Sequence, residues 1–209
     1  MIRLGIGTGR CGTHSLSNMV ESAGVTCPHE SFVYGDIARE SGRMFFPHWD
    51  GRDTNFVADV IGAMHERDGD YSEIALYHLP HVETLIERFD TRVVAMERER
   101  DKVVESYMKW TGGRDHWSFE PDRSLYREDP WDRCYMKFDG DTKRENVGLY
   151  WDYYREETNR LCQRYPDRVI KVRTEDMSNY DTYVRIMEHY QLPVVGEAEF
   201  TPFHTNKGK

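Results

Sequence analysis

The chain has 209 residues, a length that suits one domain; 31% of them are charged, and the formal net charge is -9. Such an acidic chain is a poor candidate for sequence-independent nucleic-acid binding, since that depends on Lys and Arg neutralising phosphates. No window approaches the roughly 18 apolar residues that cross a bilayer, and an apolar strand pattern begins at Ile2. We therefore expect no signal peptide and a cytoplasmic protein, with four scattered cysteines as reduced thiols.

Strand-length apolar runs alternate with helical patterns along the chain. Strands are predicted at 2–7, 25–27, 73–77, 92–97 and 168–172, and helices at 13–23, 54–67, 80–89, 99–110, 143–164 and 179–191. This alternation is typical of a parallel sheet with helices on both faces. We therefore predict one three-layer α/β/α domain over residues 1–209.

The turn between the first strand and the first helix is rich in glycine. Gly7, Gly9 and Gly12 lie between the apolar run "IRLGIG" and the helical pattern "THSLSNMV". Unpaired backbone N–H groups and the helix dipole converge at such a turn, which makes it a cradle for an anion. A phosphate-like group is its natural occupant.

Two nucleotide-binding patterns compete for this turn. "GTGRCG" satisfies GxGxxG, and Glu30 follows Gly12 by 18 residues, near where a dinucleotide fold places its ribose-binding acid. An NAD(P)-dependent oxidoreductase is therefore one alternative. The same letters also give GxxxxG, but Thr13 stands where a nucleoside triphosphatase has its lysine, so that interpretation is disfavoured.

A third interpretation covers more of the chain. "GTGRCGTHSL" resembles the 5′-phosphosulfate loop of sulfotransferases that use 3′-phosphoadenosine 5′-phosphosulfate (PAPS), whose basic, small, Gly and Thr residues correspond to Arg10 through Thr13. The resemblance implies a P-loop-NTPase-like sulfotransferase fold, with Arg10 also at the leaving-group oxygen, where a cation stabilises developing charge. It implies donor-binding roles for Gly9, Arg10, Cys11, Gly12, Thr13, His14 and Ser15.

Later segments resemble other motifs of this family, in the family's order. "RVVAMERERDKVVESYMKW" is similar to the 3′-phosphate motif, with Arg98 ending a strand and Ser106 in the next helix. "VIKVRTEDM" is similar to the family's late strand and its "YEDM", with Thr174 at the tyrosine position. "NKGK" resembles a C-terminal loop that reaches the 3′-phosphate, which makes Lys207 and Gly208 candidate contacts.

Two residues compete for the role of general base. "ALYHLPHVE" resembles the "KTHLP" of the cytosolic enzymes and places His78 at their catalytic histidine, with an ordinary pKa near 6.5. Glu30 follows Arg10 by 20 residues, at a distance similar to that of the catalytic glutamate in the Golgi glycan and tyrosine sulfotransferases. A carboxylate there would need burial to raise its pKa. We favour Glu30 and keep His78 as a relay, a substrate contact or the base.

The resemblance implies transfer of a sulfuryl group from PAPS to a hydroxyl or amine by in-line displacement, without a metal and with adenosine 3′,5′-bisphosphate as the other product. A small-molecule, lipid or glycan acceptor is expected, with neither nucleic-acid binding nor membrane insertion. The aromatic-rich segment 111–142 is predicted to be a lid or a wall of the acceptor pocket. A domain that binds adenosine 3′,5′-bisphosphate without catalysis is a second alternative.

Overall fold

The computed structural model describes residues 1–34, 44–111, 114–119 and 129–203. Its strands are β1 (Ile2–Gly7), β2 (Tyr71–Ile74), β3 (Thr91–Glu97) and β4 (Val169–Arg173). They form one four-stranded sheet in the order β2-β1-β3-β4, and each neighbouring pair is parallel. The predicted α/β class and parallel sheet are confirmed.

The long predicted helices form with small shifts at their ends. The described helices are α1 (Thr13–Glu21), α2 (Ser31–Tyr34), α3 (Thr54–Asp68), α4 (Val82–Arg88), α5 (Arg100–Trp110), α6 (Lys143–Arg164) and α7 (Tyr180–His189). At the start of α6, the Thr142 hydroxyl accepts a hydrogen bond of 3.2 Å from the N–H of Glu145 and caps the helix.

Four local predictions differ from the structure, and the first is the strand predicted at 73–77, which forms earlier, at Tyr71–Ile74. The helix predicted at 80–89 is a 3₁₀ turn at Leu76–His81 followed by α4, and Pro80 within the turn has no N–H to donate. The strand predicted at 25–27 does not form; a single parallel bridge joins His29 to Ile74 instead. Between the strand predicted at 25–27 and the helix predicted at 54–67, where the sequence predicts no helix, the chain forms the single turn of α2.

The strands separate two apolar clusters, because successive side chains point to opposite faces of the sheet. On one face, Ile2, Leu4 and Ile6 of β1 pack with residues from α3, α4, α5 and α6. On the other face, Val94 and Met96 of β3 pack with residues from α1 and α7. Helices therefore cover both faces, which is compatible with the predicted three-layer arrangement.

The order of the strands determines where a ligand site is expected. From β1 the chain first adds β2 on one side and then returns to add β3 on the other, so the winding reverses between β1 and β3. In open α/β sheets, ligands bind outside the carboxyl ends of the strands at such a switch point. Gly7 pairs with Met96 at this end of the sheet, so the loop after β1 and the residues after β3 emerge side by side.

Candidate functional site

The loop after β1 adopts a backbone that favours binding of an anion. Gly9, Arg10 and Gly12 have positive φ angles of 74°, 56° and 86°. Left-handed residues among ordinary ones turn successive N–H groups toward a common concavity, and the first N–H groups of α1 have no partner within that helix. Arg10 adopts this conformation without being glycine, which is a local strain of the kind found at functional sites.

Two tyrosines, one from each of two helices, bind the backbone of this loop through their hydroxyl groups. The carbonyl of Thr8 accepts hydrogen bonds from the hydroxyls of Tyr107 on α5 and, at 3.2 Å, of Tyr150 on α6. A Cβ atom at Gly9 would collide with the Tyr107 hydroxyl, so this position excludes a side chain. The two tyrosines thus fix the position of the loop backbone relative to α5 and α6.

Thr174, which follows β4, ties the loop to the end of β3. Its hydroxyl lies within hydrogen-bond distance of the Cys11 carbonyl and 3.1 Å from the Glu97 carbonyl. Its methyl group lies 3.1 Å from where a Cβ of Gly12 would stand. Thr174 therefore contacts the loop backbone, and it stands where the similar motif "YEDM" has its tyrosine.

The predicted Arg98, Ser106 and Arg10 lie together beside the loop. Nη1 of Arg98 donates a hydrogen bond of 2.9 Å to the carbonyl of Arg10, while Nε of Arg98 is buried and has no hydrogen-bond partner among the residues that the structure describes. Nε of Arg10 donates a hydrogen bond of 2.9 Å to the hydroxyl of Ser106, and its guanidinium lies 5.6 Å from the ring centre of Trp110. Two cations thus border one cradle, and one of them has an unused donor.

These groups surround a cavity of about 260 Å³. The predicted residues that line it are Gly9, Arg10, Gly12, Thr13, His14, Ser15, Glu30 and Arg98. Ser106 reaches it through Arg10, whereas the side chain of Cys11 is fully buried in the core, where burial raises the pKa of its thiol to about 11. Lys207 and Gly208 lie outside the described residues.

Glu30 brings a buried carboxyl group to the cavity. Its side chain is 13% exposed, and its φ angle of 58° makes it another non-glycine residue in the left-handed region. Burial, together with the nearby charge of Glu73, raises the pKa of Glu30 to about 7. This carboxyl group is therefore poised to exchange a proton near neutral pH.

His29 lies between Glu30 and the start of α1. Its Nδ1 is 3.7 Å from Oε2 of Glu30, and its Nε2 is 3.0 Å from the hydroxyl of Thr13. Burial and the neighbouring His14 lower the pKa of His29 to about 4, so its imidazole is neutral near pH 7. A neutral ring there links the carboxyl group to the anion cradle without adding charge.

His78 does not reach the cavity. Its side chain is fully buried, and Nε2 lies 2.8 Å from Oε2 of Glu73, which is fully buried as well. Of the two predicted bases, the structure therefore brings only Glu30 to the cavity.

An aromatic wall completes the cavity, and two of its members, Tyr107 and Trp110, are absent from the sequence-based prediction. Tyr107 and Trp110 come from α5, and Trp131 and Tyr135 come from the segment that precedes α6. Tyr107 packs edge-on against Tyr135 with ring centres 6.1 Å apart. The described part of the segment 111–142 thus forms part of the wall. The spacing of Tyr107 and Trp110, on one helix face just beyond Ser106, is the signal that could have identified the first pair.

The sequence matches no family model and no curated protein. Within the described ranges, no helix is long and apolar enough to cross a membrane. In the same part of the chain, no group of three or more His, Cys, Asp and Glu side chains is arranged to hold a metal ion.

Proposed function

We propose that this protein is a sulfotransferase that moves a sulfuryl group from PAPS to a hydroxyl or amine of a small acceptor. The observation that carries the proposal is one cavity that joins an anion cradle to a buried carboxyl group with a pKa of about 7. The cradle suits the phosphates of the donor, and the carboxyl group suits removal of a proton from the acceptor.

The residues around the cradle fit a donor with phosphate groups at both ends of its ribose. Thr13, His14 and Ser15, which begin α1, line the cavity, and the N–H groups of a helix start suit the 5′-phosphate. Arg98 also lines the cavity, with its guanidinium oriented by a hydrogen bond to the Arg10 carbonyl, and guanidinium groups bind phosphate with paired hydrogen bonds, which suits a second phosphate.

The donor supplies an activated sulfuryl group: the acceptor oxygen or nitrogen bonds to sulfur as the bond from sulfur to the 5′-phosphate oxygen breaks. Glu30 takes the proton that the acceptor loses. Arg10, held by Ser106 and Trp110, stabilises the negative charge that develops on the departing phosphate. The aromatic wall excludes water from the acceptor side and offers flat apolar surface to the acceptor.

Glu30 is favoured over His78 as the base because Glu30 lines the cavity and His78 does not. A general base must come within hydrogen-bond distance of the proton that it removes. Glu30 lines the cavity, whereas His78 is fully buried against Glu73. His78 therefore takes no direct part in the proposed proton transfer.

The position of the segment after α1 disfavours the oxidoreductase alternative. In the dinucleotide-binding strand order 3-2-1-4-5-6, the strand that follows the first helix lies beside the first strand. Here that segment pairs with β2: Ile74 donates to the carbonyl of Pro28 and accepts from the N–H of Glu30, both at 3.1 Å. The strand β2 thus stands between this segment and β1.

Ligand-induced thermal stabilisation tests the proposed donor site. Adenosine 3′,5′-bisphosphate should raise the melting temperature of the protein in a concentration-dependent way, and NAD at equal concentration should not. Stabilisation by NAD alone would support the oxidoreductase instead. If the bisphosphate binds but no acceptor in a metabolite extract receives sulfate, the protein is the non-catalytic binding domain.

A further inference from the structure

A buried cluster of polar side chains lies directly behind Glu30. It consists of Glu73 on β2 with Tyr71, Tyr77 and His78, and all four side chains are buried. None of them lines the cavity, and no step of the proposed reaction uses them. A carboxyl group is costly to bury unless it is well hydrogen-bonded, so the cluster calls for an explanation.

Glu73 accepts hydrogen bonds on both of its oxygens. Oε1 accepts from the hydroxyl of Tyr77 and from the backbone N–H of Ser31, both at 2.6 Å. Oε2 accepts from the hydroxyl of Tyr71 and lies 2.8 Å from Nε2 of His78. An ionised carboxylate can accept all of these bonds and donates none, so the surroundings select the charged form. Although burial raises it, the pKa of Glu73 is lowered to about 2 by His78 and the two tyrosines.

The geometry at His78 agrees with this role. Its Nδ1 is buried and has no hydrogen-bond partner within the described part of the chain. This fits an imidazole that carries its proton on Nε2 and donates it to Glu73.

The same cluster holds the backbone on either side of the Glu30 side chain. The N–H of Glu30 donates to the carbonyl of Ile74 at 3.1 Å, and the next N–H, that of Ser31, donates to Glu73. The third N–H, that of Phe32, donates to the hydroxyl of Tyr77 at 3.1 Å. Three successive N–H groups are thus anchored to β2 and the turn after it, and the left-handed conformation of Glu30 lies within this anchored run.

We infer that Glu73 is a positioning residue for Glu30: its hydrogen bonds hold the carboxyl group of Glu30 in the cavity, and its buried negative charge makes the Glu30 carboxylate a stronger acceptor for the proton of the bound acceptor molecule. The inference rests on the proposed function, because it assigns Glu73 a part in controlling the base of that reaction.

Among the ionisable groups around Glu30, Glu73 is the one whose charge raises the pKa of the Glu30 carboxyl group. These groups are His29, Glu73, Tyr77, Tyr107, Cys134 and Tyr135. Burial lowers the pKa of His29 and raises those of the tyrosines and of Cys134, so all of these are neutral near pH 7. Glu73 is therefore the charged group among them, and its negative charge disfavours ionisation of Glu30.

The substitution Glu73→Gln removes the charge and keeps the shape. The amide oxygen can accept from Ser31 and Tyr77, and the amide nitrogen can donate to Nε2 of His78 once that ring carries its proton on Nδ1. Titration of the Glu30 side chain, followed by carboxyl carbon-13 NMR and assigned with Glu30→Gln, should show a pKa lower by at least about half a unit than in the wild type. Glu87→Gln, an exposed glutamate on α4, is the matched control and should leave the titration of Glu30 unchanged.

A second variant keeps the inference testable if Glu73→Gln does not fold. Tyr77→Phe leaves the charge of Glu73 in place but removes the acceptor of the Phe32 N–H. Amide hydrogen exchange at Phe32 should accelerate by about tenfold or more, while exchange in β3 stays the same. An unchanged Glu30 titration in folded Glu73→Gln, or unchanged exchange at Phe32 in Tyr77→Phe, would overturn the inference.

These measurements need neither donor nor acceptor, so they separate the inference from the proposed function. If the wild type transfers no sulfate but Glu30 still titrates lower in Glu73→Gln, the proposed function fails and the positioning role stands. If the enzyme is active, the acid limb of the plot of kcat against pH should shift to lower pH in Glu73→Gln, together with the pKa of Glu30. An active Glu73→Gln enzyme with an unmoved acid limb contradicts the positioning role alone.

Discussion

Arg98 is the residue whose contacts most clearly set it apart from an ordinary surface arginine. It follows β3 at the switch point, lines the cavity and donates a hydrogen bond to the carbonyl of Arg10. A guanidinium held in this way is ready to bind a second phosphate group, since its orientation is fixed before the ligand arrives.

We predict that Arg98→Ala weakens binding of adenosine 3′,5′-bisphosphate by about 1.5–3 kcal/mol, the scale of a hydrogen bond to a charged group. Ser106→Ala should cost less, because its hydroxyl reaches the cradle through Arg10. Calorimetry with this ligand and with adenosine 5′-phosphate measures the difference. Arg173→Ala, at the exposed end of β4, is the matched control. Equal weakening of both ligands by Arg98→Ala would refute a role at the 3′-phosphate.

Arg10 has a different expected role, because its side chain reaches the cavity while its backbone forms part of the cradle. Arg10→Ala should lower kcat by roughly 10²–10³, the usual effect of removing one preorganised electrostatic donor. Donor affinity should fall much less, since the backbone N–H groups remain. Steady-state kinetics and calorimetry on the same variant test this. A loss of affinity as large as the loss of rate would make Arg10 a binding residue only.

At the scale of elements, the cradle depends on how α5 supports the loop after β1. The Tyr107 hydroxyl occupies the space that a Cβ atom of Gly9 would need, and Gly9 has a φ angle of 74°. A side chain at Gly9 therefore meets both a collision and a strained backbone.

We predict that Gly9→Ala lowers the affinity for adenosine 3′,5′-bisphosphate at least about tenfold, and that Gly9→Ala with Tyr107→Phe recovers part of it. Recovery should be incomplete, because the positive φ angle still disfavours alanine by roughly 1–2 kcal/mol. Tyr107→Phe alone is the control, since Tyr150 still donates to the carbonyl of Thr8. A double variant no better than Gly9→Ala would mean that the Tyr107 hydroxyl is not what excludes a side chain.

Most elements could be predicted because their patterns are local. The apolar runs of β1 and β3, and the spacing of α6 between Thr142 and Tyr165, place these elements within a residue or two of where they form. The bridge at His29 could not be predicted, because it depends on a contact with Ile74 at the end of β2. The 3₁₀ turn before α4 could not be predicted either, because Pro80 lies at the junction between the turn and the helix.

In the candidate site, features formed by residues close together in the sequence could be predicted. Contacts between residues far apart in the sequence could not. Glycines and a helix start in one short loop point to an anion cradle, and the structure gives that loop the positive φ angles that such a cradle uses. By contrast, burial of His78 against Glu73 depends on packing around β2, which no local pattern reveals. The link from Thr174 to the Cys11 carbonyl likewise joins residues from opposite ends of the chain.

At the scale of the whole molecule, several buried histidines and two buried glutamates link stability to pH. Burial lowers the pKa values of His29 and His189 to about 4 and that of His81 to about 3. Between about pH 4 and 6.5, the unfolded chain binds protons at these histidines that the folded protein does not, so stability rises with pH. Glu30, with its pKa raised to about 7, acts in the opposite direction, and the lowered pKa of Glu73 acts in the same direction as the histidines below about pH 4.3.

Because three histidines outweigh one glutamate, unfolding at pH 5 should take up about two protons. The urea midpoint of unfolding should therefore fall between pH 7 and pH 5, and His81→Gln should make that fall smaller. Urea titrations monitored by circular dichroism at several pH values measure both effects. A midpoint that does not change across this range would contradict the depressed pKa values.

The measurement that bears most directly on the proposed sulfotransferase activity is transfer of a radiolabelled sulfuryl group from PAPS to acceptors in a metabolite extract, with the wild type and Glu30→Gln side by side. The wild type should form a labelled organic product at a rate that rises with pH through about 7, as expected for a base with the pKa of Glu30. Glu30→Gln should bind adenosine 3′,5′-bisphosphate as the wild type does and form no product, because glutamine cannot accept the proton. Absence of labelled product from a wild-type protein that binds the bisphosphate, or full activity of Glu30→Gln with the same pH profile, would contradict the proposal.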